Sequence, residues 1–428
     1  MGVEKVWICR PILAVVETFR KGESSISTSL LYHGWGIRGY VYRRSGYVGG
    51  TIEFHIEQVK DFQCPVCQSR RVICRGTVPR KFKLPPIGFK PVSLVLPVQR
   101  VECRDCKAVR QVDLDFADER RSYTKAFERY ALELSLMTTI QAAAVHLKVS
   151  WDVVKDIQKR YYQREFGKPD LRGLRCLAID EISIGSGHRY LTIVMDLESG
   201  AVVFVGEGKS ADALLPFWPR LKRARAKIEA VAMDMGPAYI AAVQTHLPEA
   251  AIVFDHFHVI KLFNEKLSEL RRDLHREITD VLHKDALKGT RWLLLKRPEN
   301  LDESKDERKR LDEALKINQP LAMAYYLKED LRRFWSQKDK AAAQAFLKDW
   351  LCQAWSSGVK MLKKMANTIA GKRTGLLAYY DHKISSGKLE GFNNKIKTMQ
   401  RQAYGYRDQE FFKLKIFALH KVKYAFVG

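Results

Sequence analysis

Two aspartates stand where an isolated carboxylate is costly. Asp180 interrupts the run RCLAIDEISI and Asp234 the run IEAVAMDMGPAY, both apolar and partly β-branched. Such runs read as buried strands, and a carboxylate placed there without a partner loses its hydration. A third acid, Glu390 in SSGKLEGFNNKIK, opens a segment with helical periodicity. Folding that draws the three together makes an all-oxygen site suited to hard divalent cations. The chain carries a net charge of +25 over 428 residues, and so large a positive field attracts polyanions by steering and counterion release. Phosphate of a nucleic acid is the substrate that fits both observations.

Element order supports the convergence. Asp180 lies on the first of three strand-like runs, LRCLAIDEISI, RYLTIVMDL and AVVFVGEG; a helical stretch DALLPFWPRLKRA then precedes the strand leading to Asp234. The helix PAYIAAVQTHL and the strand AIVFDHF follow. The order β-β-β-α-β-α-β is that of an RNase H-like core, a mixed sheet with helices on both faces. In that layout the strands of Asp180 and Asp234 are adjacent and parallel, and Glu390 arrives on a helix packed against them. At a period of 3.6 residues, Glu390, Asn394, Lys397 and Arg401 share one face, and Leu389, Phe392, Ile396, Met399 and Ala403 the opposite one. The apolar stripe can pack on the sheet while Asn394, Lys397 and Arg401 line bound DNA. A lone glutamate would be a solvated surface acid; the two strand aspartates and the basic face favour the site.

Neighbouring residues allow several readings. Glu181 points to the opposite sheet face from Asp180, because strand side chains alternate, and reads as supporting or structural. Asp196 and His188 read as turn residues. Asp255 and His258, in FDHFHVIK, are either a helix cap and a packed histidine or a pair that supports the site.

Cys64 and Cys67 (CPVC) and Cys103 and Cys106 (CRDC) form two close pairs around a β-like stretch. Four thiolates in two knuckles suit a closed structural Zn²⁺ site. A redox role would place CxxC at the start of a helix in a thioredoxin-like unit, which is absent here. Cys9, Cys74, Cys176 and Cys352 look isolated and reduced. Residues 138–163 fit a helix-turn-helix: Ile140, Ala144 and Val145 give the first helix its apolar positions, Ser150 is placed to cap the second, and Val153, Val154 and Ile157 form its core stripe. Lys155, Gln158 and Lys159 are expected on the exposed face, where a recognition helix meets the major groove. A plain packing hairpin has the same pattern.

The expected organisation is multidomain α+β. It comprises a β-rich segment 1–60, a zinc ribbon 61–115, a helix-turn-helix 116–170, the first part of the RNase H-like core 171–262, an all-helical insertion 263–380, and C-terminal core helices 381–428. No secretory signal and no apolar run of about 18 residues is visible, so a cytoplasmic protein without a membrane partner is expected.

The chemistry follows from the acids. Two divalent cations held by Asp180, Asp234 and Glu390 would stabilise the attacking and leaving oxygens of an in-line phosphoryl transfer. No protein nucleophile is needed, so no covalent intermediate with DNA is expected. Mg²⁺ suits the role and Mn²⁺ should substitute.

Taken together, CPVC…CRDC, the helix-turn-helix, LAIDE, VAMDMGPAY, VFDHFHVIK and KLEGFNNKIK…RQAYGYRD resemble the ISL-three family of bacterial insertion-sequence transposases. The resemblance runs from about residue 60 to the end. It implies a DDE transposase with Asp180, Asp234 and Glu390 as the catalytic triad, and a helical insertion that builds DNA contacts and oligomer interfaces. It also implies recognition of terminal inverted repeats in double-stranded DNA by the N-terminal modules, action as a homodimer or larger assembly, and a nucleoid-associated location. Two other readings remain: a catalytically inactive zinc-ribbon and helix-turn-helix regulator, or a metal-dependent nuclease without strand transfer.

Overall fold

A computed structural model describes residues 26–185 and 188–421. The opening apolar patch, Cys9, Ser186, Gly187 and the last seven residues lie outside the described residues. The chain divides into two compact units between Ile157 and Gln158.

The first unit begins with helix α1 (Ile26–Trp35) and a five-stranded sheet. Strands β1 (Tyr40–Val48) and β2 (Thr51–Gln58) form a hairpin through Gly49 and Gly50, whose φ angles of +53° and +78° suit a tight primed turn. β2 then pairs in parallel with β4 (Lys90–Cys103), which pairs antiparallel with β3 (Val72–Ile87) and β5 (Val109–Gln111). The strands on either side of residue 60 therefore share one sheet. Phe54, Phe82, Leu94 and Leu96 form its core with Leu31 and Trp35 of α1.

Three helices follow. Thr124 caps α2 (Lys125–Met137) by accepting from the Phe127 N–H, and Thr139 caps α3 (Ile140–Leu147) by accepting from the Ala142 N–H. α3 ends at Lys148 in the left-handed conformation, and α4 (Trp151–Phe166) begins after Ser150. Ile140 and Ala144 are buried as expected, but Val145 is 67 % exposed. Ala143 takes its place, because the buried arc of this short helix runs through 140, 143, 144 and 147.

The second unit holds the RNase H-like core. β6 (Cys176–Gly185), β7 (Arg189–Asp196) and β8 (Val202–Glu207) form an antiparallel meander. α5 (Phe217–Ala224), β9 (Ala230–Met233), α6 (Pro237–His246) and β10 (Ala251–Phe254) complete it. The sheet order is β10-β9-β6-β7-β8, with β6, β9 and β10 parallel. His188 is a turn residue with φ +57°, and Asp196 closes a turn by accepting from the Glu198 and Ser199 N–H groups.

After β10 comes the helical insertion. It comprises α7 (His256–Glu277), α8 (Val281–Leu287), α9 (Arg291–Leu295), α10 (Glu307–Ile317), α11 (Gln319–Arg332), α12 (Lys340–Ser356), α13 (Lys360–Gly371), α14 (Arg373–Leu377) and α15 (Tyr379–His382). Trp350 is its buried anchor, with its indole N–H donating to the Leu327 carbonyl. The chain then returns to the sheet as α16 (Gly387–Gln402) and α17 (Gln409–Ala418). The core has two sides. Leu177, Ile179, Val231 and Met233 pack with α5, α6 and the insertion. Ala178, Ile182 and Ala232 pack with Leu389, Phe392, Ile396 and Met399 of α16.

Candidate active site

The strand register builds the site. β6 and β9 pair in parallel with Ala178 opposite Ala232, and β9 and β10 with Met233 opposite Phe254. Carried forward, the same offsets set Asp180, Asp234 and Asp255 at one level: Asp180 within β6, just beyond its pairing with β9, and Asp234 and Asp255 just past the carboxyl ends of β9 and β10. Alternation gives all three the face of Ala178, Ala232 and Val253; α16 covers it over Ala178 and Ala232, and Ala378 and Tyr379 cover it over Val253. Ligands of open α/β sheets bind outside such strand ends.

Each acid is held differently. Asp180 accepts from the Glu181 N–H at 2.8 Å and from the Asn393 amide of α16, also at 2.8 Å. Asp234 folds back to accept from the Gly236 N–H at 2.9 Å. A Cβ at Gly236 would lie 2.9 Å from that same oxygen, so a larger residue before α6 would displace the Asp234 carboxylate. Glu390 is half-buried in the first turn of α16, one helical turn before Asn393. Burial raises the Asp180 carboxyl above the usual range, with His258 and the Glu181 N–H opposing the rise, Asp234 adding to it, and Lys261 opposing. Asp234, His258 and Lys261 therefore lie within electrostatic reach of Asp180. Glu181 lies on the other face, as alternation requires; burial, then Asp234 and Asp180, raise its carboxyl, with Tyr239 opposing the rise.

Asp255 begins α7, yet its carboxylate does not cap the helix. It accepts instead from the hydroxyl of Ser386, the residue preceding α16, at 2.9 Å. Burial alone would raise the Asp255 carboxyl; contact with His256 and Ser386 outweighs it and holds the group below its ordinary value. Asp255 thereby ties the start of the insertion to the start of the helix carrying Glu390. His258, half-buried on the first turn of α7, lies within electrostatic reach of Asp180, Glu181 and Asp255.

The donor set suits a hard divalent cation. It is all oxygen, and burial and a neighbouring anion both disfavour charge on Asp180, which a cation would relieve. Among the described residues, the cysteine quartet is the group of three or more such side chains whose ligand atoms all lie within 4.8 Å of one another. The oxygens of Asp180, Asp234 and Glu390 do not meet that spacing; Asp234 acts electrostatically on Asp180, and Glu390 lies one helical turn before the Asn393 that bonds Asp180.

The quartet is built by symmetry. In both knuckles an N–H two residues on donates to the first cysteine: Val66 to the Cys64 Sγ and Asp105 to the Cys103 Sγ, both at 3.4 Å. Each knuckle is followed by a residue in the left-handed region, Gln68 at φ +59° and Lys107 at φ +60°. The sulfurs of Cys64 and Cys106 are 3.5 Å apart and those of Cys67 and Cys103 3.4 Å. Backbone N–H groups, first that of Cys106, bring the Cys103 thiol down to about 7. The arrangement fits a single zinc ion bound by four thiolates.

Comparison with known proteins decides the family. Residues 177–416 match the family described as "Transposase" of the DDE ISL3 type. Residues 112–162 match the "Helix-turn-helix domain of transposase family ISL3", and 60–106 the "zinc-finger of transposase IS204/IS1001/IS1096/IS1165". The chain belongs to the ISL3 transposase family. It is 34 % identical over 373 residues to the transposase for insertion sequence element IS1001 of Bordetella parapertussis, covering 86 % of this chain and 91 % of that one. It is 28 % identical over 360 residues to the transposase for IS1557 of Mycobacterium tuberculosis, covering 78 % and 80 %. A Drosophila P element transposase strand transfer complex aligns over 72 % of this chain and 94 % of that one, with a TM-score of 0.40 and 13 % identity. This ISL3 transposase is thus a DDE-type enzyme with zinc-ribbon and helix-turn-helix modules. No described helix is long and apolar enough to cross a membrane.

The expected DNA-facing residues divide. Asn394, Lys397 and Arg401 are exposed on α16, opposite the buried Leu389, Ile396 and Met399. Gln158 is not on an exposed face: it is 1 % exposed, because it falls on the same arc of α4 as Val154 and Ile157. Lys159 is not free for phosphate either; its ammonium pairs with Asp408 at 3.2 Å and Glu410 at 2.6 Å. Lys155 is half-buried, with its ammonium 5.3 Å from the Trp151 ring centre. Asn393 and Ser386 are site residues that the sequence pattern does not single out. The one signal for Asn393 is an amide on the otherwise apolar arc of an amphipathic helix; Ser386 carries none.

Proposed function

We propose that Asp180, Asp234 and Glu390 hold two Mg²⁺ ions and that the enzyme cuts insertion-sequence ends and joins them to target DNA. The observation that carries this reading is the common register level of Asp180 and Asp234, beneath the helix that bears Glu390. Magnesium held there would supply charge stabilisation to the attacking and departing oxygens of the phosphodiester, and Mn²⁺ would serve in its place. Asn393 orients Asp180 by the hydrogen bond its side-chain amide donates. Asp255, through Ser386, sets the start of α16 and so the position of Glu390. His258 and Lys261 offset the anionic charge of the acids. The zinc ribbon and helix-turn-helix recognise the terminal inverted repeats, and Asn394, Lys397 and Arg401 follow the phosphates near the cut. The enzyme acts as a homodimer or larger assembly on DNA.

The test is incubation with a labelled duplex carrying the end of the encoding element and Mg²⁺, with products mapped at nucleotide resolution. Cleavage and joined products from a 3′-hydroxyl donor are expected. Asp180→Ala should abolish both while end binding persists. Cleavage by that variant at the wild-type rate would refute the assignment, and cleavage without joined products would make the protein a nuclease.

A further inference from the structure

Beside the acids, two adjoining cavities open along the insertion. The first, of about 690 Å³, runs along α7 and faces α9 and the turn after it. Six cations line it, Lys261, Arg272, Arg291, Lys296, Arg297 and Arg332, against the two acids Glu265 and Glu269. Glu269 is paired with Lys266, Lys296 with Glu307, and Arg332 with Glu329. Among the described residues no acid lies within ion-pair distance of Lys261, Arg272, Arg291 or Arg297. Lys261 is also the cation felt by Asp180. Through Lys261 the cationic track lies within electrostatic reach of Asp180.

The second cavity, of about 460 Å³, shares His256, Arg297 and Arg332 with the first and adds Asp255, Trp335 and Tyr379. Its walls offer aromatic faces and unused polarity. The Trp335 indole N–H is buried without a hydrogen-bond partner, and so is one carboxylate oxygen of Asp255, whose nearest cationic neighbour is the His256 Nδ1 at 3.7 Å. Phe257, in the first cavity, is 39 % exposed. Buried polar atoms left unpaired are uncommon and call for a ligand or solvent. A cationic track interleaved with aromatic faces is how proteins hold unpaired nucleic-acid strands. Both cavities fall in the size range of small-ligand sites, about 300–1,000 Å³, enough to take single nucleotides.

We propose that this groove is a binding site for unpaired DNA. Nucleotides displaced from the duplex at the cut place their phosphates on Lys261, Arg272 and Arg297, and their bases against Phe257, His256 and Trp335. The inference rests on the active-site reading above, since the groove lies within electrostatic reach of Asp180.

The test compares a blunt duplex with the same duplex carrying an unpaired tail of about eight nucleotides, by fluorescence anisotropy in Ca²⁺. The variants are Arg272→Ala/Arg297→Ala and Phe257→Ala, with folding checked by thermal melting. The wild type should bind the tailed DNA at least ten-fold more tightly than the blunt one. The double variant should lose that preference while blunt-duplex binding stays unchanged. Its salt dependence on tailed DNA should fall by about 0.7 in log–log slope for each phosphate that is no longer neutralised. Equal affinity of the wild type for the two DNAs, or equal weakening on both in the variants, would overturn the proposal. End cleavage in Mg²⁺ is measured in parallel. Normal cleavage without tail preference refutes the groove alone, whereas absent cleavage with tail preference intact refutes the active-site reading.

Discussion

Asn393→Ala isolates the link between α16 and the sheet. Asn393 is 5 % exposed and its amide donates to Asp180 at 2.8 Å. A hydrogen bond to a charged group contributes about 1.5–3 kcal/mol, which at about 1.4 kcal/mol per factor of ten is roughly 10- to 150-fold. Outer-shell partners of metal ligands typically change metal affinity by about 10- to 100-fold, so two independent routes give the same range. Loss of the donor also leaves the Asp180 carboxylate less stabilised, which raises its pKa further. The expected result is a Mg²⁺ requirement for end cleavage displaced to concentrations at least about ten-fold higher. The acidic limb of the pH–rate profile should move to higher pH. The assay is initial cleavage rate against Mg²⁺ at several pH values, on a variant shown to melt cooperatively. Wild-type Mg²⁺ dependence and an unmoved acidic limb would refute the claim that Asn393 acts through Asp180.

Three further outcomes are expected. Asp180→Asn should melt at a higher temperature than wild type at pH 7 without divalent metal. A carboxylate whose folded pKa is raised stabilises fully only below its unfolded value, and loses that contribution as pH rises through the folded one; the gap should therefore close near pH 4, and Mg²⁺ should raise the melting temperature of wild type only, as calorimetry can check. The unpaired Asn393 oxygen allows that amide to flip and accept from the new side chain. Cys103→Ser should remove the bound zinc, one ion per chain by elemental analysis, and with it duplex binding by the ribbon, while Cys352→Ser changes neither. Gly375→Ala should destabilise by about 1–3 kcal/mol in denaturant titration, because its Cβ would meet the Phe254 ring at 2.4 Å where α14 crosses β10.

Much of this fold is written locally. The apolar runs around Asp180 and Asp234, the two CxxC knuckles and the stripe through Leu389, Phe392, Ile396 and Met399 each repeat at the period of their element, so the residues that must leave water declare strand, ribbon or helix. Where the local pattern is thin, it misleads. α4 is short of apolar residues, and nothing nearby shows that Gln158 completes its buried arc or that Lys159 meets acids from the far end of the chain, at Asp408 and Glu410.

The sequence alone determined which carboxylates are too costly to bury without purpose, because desolvation is a property of the residue and its immediate run. Only the tertiary structure decided that Asp180, Asp234 and Asp255 share one level, since that follows from the pairing offsets of three strands. It alone decided that Asn393 answers Asp180 across 213 residues and Ser386 answers Asp255 across 131. A single hydrogen bond between distant segments leaves no periodicity in either, so it becomes visible only once the sheet and α16 are packed together.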